Sequence, residues 1–274
     1  MGKRVLVAVI FIPLIFVILF GVSPVYPIVI PAAIAGLSAL AVHEALWSTG
    51  FVKNLRISGI SIVLAGLIPF WVYFGQDQTL ALAGLLAYVS FLFAEAIHSH
   101  KAVTMEKMGG AFFLSVMIPF FLSSFVRIRL MEGWRYLIVL PFAAAFASDA
   151  FALFAGMRFG KRKLAPELSP KKTVEGAFGG FVGSSFTLLL YGVVVYQFGA
   201  QVENYAMLTL YGMMGSVISQ FGDLAFSYIK REYGIKDYGN ILPGHGGVLD
   251  RFDSVIFCAP LMELLIRWLP AITG

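Results

Sequence analysis

Residues 134–157 read WRYLIVLPFAAAFASDAFALFAGM, a block interrupted by only two charges, Arg135 and Asp149. A helix needs about 20 predominantly apolar residues to cross a bilayer core, and this block is long enough. Further blocks of the same kind flank it: Val5 to Gly21, Pro24 to Val42, Ile57 to Phe74, Leu80 to Ile97, Gly110 to Val126, Gly176 to Phe198, Tyr205 to Ile229 and Ser254 to Leu269. Lipid offers no hydrogen bonds, so the backbone of each block must satisfy itself, which leaves helices as the spanning structure. A membrane β-barrel would show alternating segments of about ten residues, and none occurs. The predicted fold class is all-α: a polytopic integral membrane protein of about nine transmembrane helices, its N-terminus cytoplasmic.

Composition agrees. The chain is 59% hydrophobic and 13% charged, with a mean hydropathy of +0.86. A soluble globular domain is roughly half apolar and a quarter charged, so lipid is the expected solvent for most of this chain. Cys258 is the single cysteine, which excludes an internal disulfide and a cysteine-cluster zinc site and predicts a small buried apolar residue. Lys3 and Arg4 before the first apolar run resemble a signal sequence, but the run is long and lacks a small-x-small cleavage pattern, so a retained span is expected. No tandem repeat or linker marks a second soluble domain. One membrane domain is expected over 1–274, with N-terminal spans in 1–135 and catalytic spans in 136–274. Gly176 with Gly180, and Gly179 with Gly183, predict close approach of neighbouring helices.

The net charge of +5 could suit nucleic acid or anionic lipid, but in a membrane chain the distribution decides. With the N-terminus inside, every Lys and Arg falls on the inner side except Arg127, Arg129 and Arg135 in one outer loop and Arg267 near the end of the last span. Two inner loops, 158–175 and 230–253, are long and polar, whereas the outer loops 75–79 and 199–204 are short. The working face is therefore expected in the cytoplasm, with the lipid bilayer and no nucleic acid as partner.

Ionisable groups inside spans are functional suspects, because a charge in hydrocarbon costs several kcal/mol unless paired or hydrated. Glu95 and Glu263 have little polar company at helical spacing beyond Ser99 and Arg267, the latter predicting a plain ion pair. Asp149 sits beside Ser148, which also allows a satisfied structural polar pair. Asp223 differs: Ser227 at i+4, Lys230 at i+7 and Arg231 at i+8 form one polar stripe. Asp250 and Asp253, at i and i+3, share a face where the last helix begins; the helix dipole and capping could account for one of them, less well for both. Carboxylates from different helices beside a basic, glycine-rich loop are what a divalent ion needs for phosphate chemistry.

The loop ahead of those aspartates is Pro243-Gly244-His245-Gly246-Gly247, whose glycines let main-chain N–H groups approach a phosphate. No Walker A pattern is present. The other inner loop runs from Lys161 through Lys163, Ser169, Pro170, Lys171, Lys172 and Thr173 to Gly176. Its cations could simply orient the spans, but with its hydroxyls they also suit a triphosphate. His43, His98 and His100 lie near span ends, and no H-x-x-x-H pair occurs, so a zinc role is not expected.

Ser227-Tyr228-Ile229-Lys230-Arg231, Lys236-Asp237 and Pro243 through Asp253 together closely resemble the signature of phosphatidate cytidylyltransferases, the CDP-diacylglycerol synthases. Gln220-Phe221-Gly222-Asp223, Ser148-Asp149 and Lys163 through Gly176 extend the match, with Lys171 where the family often has a small residue. The resemblance is specific over 148–253 and general, as apolar spans, before that. It implies conversion of CTP and phosphatidate to CDP-diacylglycerol and pyrophosphate with Mg²⁺, on the inner membrane of a bacterium. A lipid phosphate is largely a dianion at pH 7, its second pKa being near ~6, and needs no general base. His245 is then a hydrogen-bond donor or phosphate orienter.

On this reading Asp223, Asp250 and Asp253, with Asp149, are the metal ligands. Lys163, Ser169, Lys171, Lys172, Thr173, Lys230, Arg231, Lys236, Gly246 and Gly247 serve the triphosphate, and Arg251 the lipid phosphate. The lipid would enter sideways through a cleft open to the cytoplasm and the inner leaflet. The reading admits a homodimer. A transporter is one rival, and a CTP-dependent enzyme acting on an isoprenoid lipid phosphate is a nearer one.

Overall fold

The computed structural model describes residues 17–239 and 246–273, so most of the first predicted span, with Lys3 and Arg4, and also Pro243, Gly244 and His245, lie outside the described residues. The chain forms two compact units. One comprises residues 1–127 and 233–251, the other 128–232 and 252–274.

In the first unit, α1 (Val29–His43) continues into a π-helical segment, Glu44–Ser48. It is followed by α2 (Leu55–Tyr73), α3 (Gln78–His98), α4 (Met105–Leu122) and the start of the short α5 (Ser124–Arg129), whose last two residues belong to the second unit. Each of α2, α3 and α4 starts at a residue whose side-chain oxygen accepts an otherwise unpaired N–H: Asn54 from Arg56 and Ile57, Asp77 from Leu80, Thr104 from Lys107. Inside, Tyr88 Oη on α3 lies 2.7 Å from Ser61 Oγ on α2 and 2.8 Å from Ser115 Oγ on α4. This buried hydroxyl chain satisfies three groups that neither lipid nor an apolar core could serve. Glu95 has more company than its own helix suggested. It accepts from Arg56 Nη1 at 3.1 Å and Asn54 Nδ2 at 3.3 Å, both at the start of α2.

The second unit contains α6 (Trp134–Leu137), α7 (Leu140–Phe159), α8 (Val174–Gln197), α9 (Tyr205–Glu232) and all but the first turn of α10 (Leu249–Trp268). The glycine spacing acts as predicted, bringing α8 against α7. A Cβ at Gly176 would stand 2.8 Å from Ala152 O and one at Gly180 2.8 Å from Ser148 O, while Gly179 meets Ala155 and Gly183 meets Phe151. On α9, Gly212 lies against the backbone of Ser184 and Ser185, and Gly222 against Asp253 O and Phe257 of α10. Cys258 is buried, as its type predicts, and Glu263 takes Arg267 Nε at 3.0 Å.

Among the described residues, six helices are long and apolar enough to cross a membrane: Val29–Trp47, Leu55–Tyr73, Gln78–His98, Met105–Arg129, Trp134–Phe159 and Val174–Gln197. The predicted spans 205–229 and 254–269 are also helices, α9 and α10, but more polar ones. The loop expected over 158–175 is not irregular throughout. It holds an antiparallel ribbon of β1 (Lys163–Ala165) and β2 (Ser169–Thr173), in register Lys163 with Thr173 and Ala165 with Ser169. A second small pairing joins β3 (Gln201–Val202) to β4 (Ile272–Thr273).

Candidate active site

Helix α9 carries the polar stripe in the second unit. Its glycines and serines, Gly212, Gly215, Ser216, Ser219 and Gly222, are buried and let the neighbouring helices come close. Gln220 ties the three helices together, its Nε2 donating to Ala177 O at 3.1 Å, Ser216 Oγ at 2.9 Å and Ser148 Oγ at 3.4 Å. Ser148 Oγ is in turn 2.7 Å from Ser216 Oγ. Ser148 therefore belongs to the helix interface, while its neighbour Asp149 is exposed and accepts from Ser254 Oγ at 3.0 Å.

On this frame Asp223 meets Lys172, Nζ to Oδ2 at 2.6 Å, and Ser227 Oγ donates to its Oδ1 at 3.3 Å. The ribbon explains which lysine arrives. Successive residues of a strand point to opposite faces, so Lys172 turns toward α9 while Lys171 is exposed. Lys172 Nζ is buried, and the partner it has among the described residues is the Asp223 carboxylate. Asp253 is 8% exposed. It senses the negative charges of Asp223 and Asp149 and the positive charge of Lys230, and its Oδ1 accepts the N–H of Ser254 at 2.8 Å. Lys230 is buried on the same stripe.

The other predicted residues of this unit make local contacts of their own. Thr173 caps α8, its Oγ1 accepting from Gly176 N at 3.1 Å, and is buried against Gly156 and Gly160. Arg231 Nε donates to Leu168 O at 3.2 Å, holding the turn of the ribbon to α9. Lys163 is exposed, and Ser169 sits at a pairing position opposite Ala165. Glu175 closes the loop by accepting from the N–H of Lys161 and Arg162.

In the first unit, the segment entering α10 is held by two carboxylates. Asp250 Oδ2 accepts from Gly247 N at 2.9 Å and Tyr238 N at 2.8 Å. Glu44, completely buried, accepts from Val248 N at 2.9 Å and Leu249 N at 2.7 Å. Gly246 has φ +83°, a left-handed conformation that glycine adopts without strain. Gly247 is pressed so closely on Glu44 that a Cβ would lie 2.5 Å from Oε2. Lys236 and Arg251 are exposed, and His245 falls outside the described residues.

The family model described as "Cytidylyltransferase family" matches residues 2–269. The chain belongs to the cytidylyltransferase family. It is a nucleotidyltransferase. Among curated relatives, the phosphatidate cytidylyltransferase of Bacillus subtilis is 34% identical over 237 residues, 81% of this chain and 86% of its own. That of Staphylococcus epidermidis is 35% identical over 244 residues, 85% and 88%. The Thermotoga maritima enzyme of the same name is 36% identical over 159 residues, 57% and 58%.

Two residues that organise this cytidylyltransferase were given no role in the sequence reading: Glu44 and Glu175. Each reads locally as a carboxylate at the end of a span. Glu175 could have been found as an acidic residue in a first helical turn, but Glu44 acts across more than 200 residues and has no local signal. Among the described residues no three His, Cys, Asp or Glu already form a metal cage. The donor set is nevertheless of the right chemistry for a hard divalent cation: Asp149 and Asp223 are carboxylates that both lie within electrostatic reach of Asp253, with Lys172 Nζ standing where a cation would balance Asp223.

Proposed function

We propose that this cytidylyltransferase transfers CMP from CTP to phosphatidate, giving CDP-diacylglycerol and pyrophosphate, at the cytoplasmic face of a bacterial inner membrane. The observation that carries the reading is the half-buried Lys172–Asp223 pair, set among apolar helices in a chain whose relatives bear that enzyme's name. A polar pair there needs a reason, and a polyanion brought to a membrane surface supplies one.

An oxygen of the lipid phosphate forms the new bond to the α-phosphorus of CTP. The bond from that phosphorus to the bridging oxygen of the β-phosphate breaks, and its electron pair leaves with pyrophosphate. The nucleophile is already ionised at neutral pH, so no side chain must take a proton. What remains is to hold two polyanions in line against their repulsion. Lys172, with its buried donors, and Lys230 do this for phosphate oxygens. Lys163, Lys171, Arg231 and Lys236 add positive field, Ser169 a hydroxyl, and Gly246 and Gly247 a backbone without side chains that a phosphate can approach closely. Arg251 receives the lipid phosphate, and His245 orients it. Asp223, Asp250 and Asp253, with Asp149, would hold magnesium, which when bound neutralises charge on the triphosphate. The exposure of Asp149 on an otherwise apolar helix supports a route by which the lipid headgroup arrives sideways while its acyl chains stay in hydrocarbon.

Purified protein in detergent, given CTP, magnesium and phosphatidate, should form CDP-diacylglycerol and pyrophosphate in equal amounts. Asp250→Asn should abolish turnover while leaving a folded, correctly inserted protein. Product only from an isoprenoid lipid phosphate would transfer the reading to that substrate class. No pyrophosphate with any lipid phosphate would overturn it.

A further inference from the structure

The first unit contains a cavity of about 580 Å³ lined by residues to which the proposed reaction assigns no role. Its walls are the N-terminal turn of α2, the C-terminal turn of α3 and the first turn of α4, which lie at one end of three adjacent antiparallel helices. Lys53, Asn54 and Arg56 come from the first, Glu95 and His98 from the second, and Lys107 from the third.

The lining is electrically one-sided. Glu95 is its single carboxylate and is already matched by Arg56 and Asn54. Glu106, at the start of α4, does not line the cavity. Lys107 Nζ donates to Ala102 O at 2.9 Å, which occupies one of its three N–H donors. Lys53 and His98 make no hydrogen bond or ion pair among the described residues. The N-termini of α2 and α4 each add partial positive charge, and the C-terminus of α3 subtracts one such contribution. The balance favours an anion.

The rim says which kind. Leu55, which lines the cavity, is 76% exposed, and Ile97 and Met105, outside the lining but each next to a lining helix end, are 78% and 72% exposed. A soluble anion has no use for such a rim, whereas a lipid places its charged headgroup and its acyl chains on either side of such a boundary. Basic pockets between transmembrane helices suit anionic headgroups for the same reason. We propose that this cavity holds the headgroup of one anionic phospholipid, its phosphate between Lys53, Arg56 and Lys107, its acyl chains along Leu55, Ile97 and Met105.

The proposal is tested without reference to turnover. Native mass spectrometry of the full chain, released from detergent containing phosphatidylglycerol or phosphatidylcholine, should show one phosphatidylglycerol retained and no comparable retention of phosphatidylcholine. The pair Lys53→Glu with Lys107→Glu should weaken that retention roughly tenfold, the order expected for losing basic contacts at a lipid surface. Lys53→Arg with Lys107→Arg should keep it, and Lys53→Gln with Lys107→Gln gives a milder reading if charge reversal prevents folding. Undiminished retention in folded Glu or Gln variants would overturn the site. Equal retention of phosphatidylcholine would overturn its charge selectivity, and displacement by millimolar inorganic phosphate would show a soluble anion in place of the lipid.

Discussion

The carboxylate of Glu44 accepts the backbone N–H of Leu249 at 2.7 Å, joining the end of α1 to the first turn of α10. The neighbouring N–H of Val248 is taken at 2.9 Å, so one buried side chain satisfies two donors that the start of a helix leaves unpaired. Charge-assisted bonds of this kind are worth more than neutral ones, and Glu44→Ala should destabilise the protein by roughly 2–4 kcal/mol. Glu44→Gln should recover part of that, because its amide oxygen still accepts while its NH₂ faces a second donor. Thermal unfolding in detergent reads both, and unchanged midpoints would show that the clamp is unimportant.

The glycines beside Glu44 test the same geometry from the other side. A methyl at Gly247 would lie 2.5 Å from Glu44 Oε2, and one at Gly239 2.7 Å from Oε1. Gly234, at φ +63°, meets nothing within 4 Å, so alanine there carries only backbone strain of about 1 kcal/mol. Cytidylyl transfer should collapse in Gly247→Ala and Gly239→Ala and survive in Gly234→Ala. The reverse order of activities would contradict the packing of this segment.

Lys171 and Lys172 are adjacent in sequence and opposite in the ribbon. Lys172→Ala removes the cation paired to Asp223 and should lower kcat/KM by roughly a hundredfold or more, as loss of a positioned charge in a water-poor site does. Lys171→Ala should cost only a few fold, and that mainly at low salt, where exposed charges act over longer distance. Equal losses in the two variants would mean that both reach the nucleotide.

Ser254 holds Asp149 through Oγ at 3.0 Å, and its N–H binds Asp253. If these carboxylates hold magnesium, Ser254→Ala should raise the magnesium concentration needed for half-maximal turnover by roughly 10–100-fold, the usual effect of removing a ligand's supporting partner. Turnover at saturating magnesium should stay close to the parent's. An unchanged magnesium titration would detach Asp149 from the metal.

Much was legible in the chain as written. Blocks of apolar residues state span length directly, because lipid forces every backbone group into local helical bonds. The stripe Asp223, Ser227, Lys230 follows from helical spacing alone, and the structure bears out its Ser227 bond and the burial of Lys230. The same spacing foretold the glycine seam between α7 and α8 and the Glu263–Arg267 pair. What sequence could not separate was Lys171 from Lys172, or Thr173 as a cap from Thr173 as a ligand. Those choices depend on a short ribbon inside a loop that reads as wholly polar.

Local periodicity thus determined helices and the faces on which their polar residues gather, since each follows from neighbours within one or two turns. Tertiary structure alone decided the partners of Asp223, of Glu95 and of Leu249: Lys172 from a strand, Arg56 from the preceding helix, and Glu44 from the far end of the chain. Such pairs form because a buried charge or N–H must be satisfied by whatever packing brings within reach, and no sequence spacing records that distance.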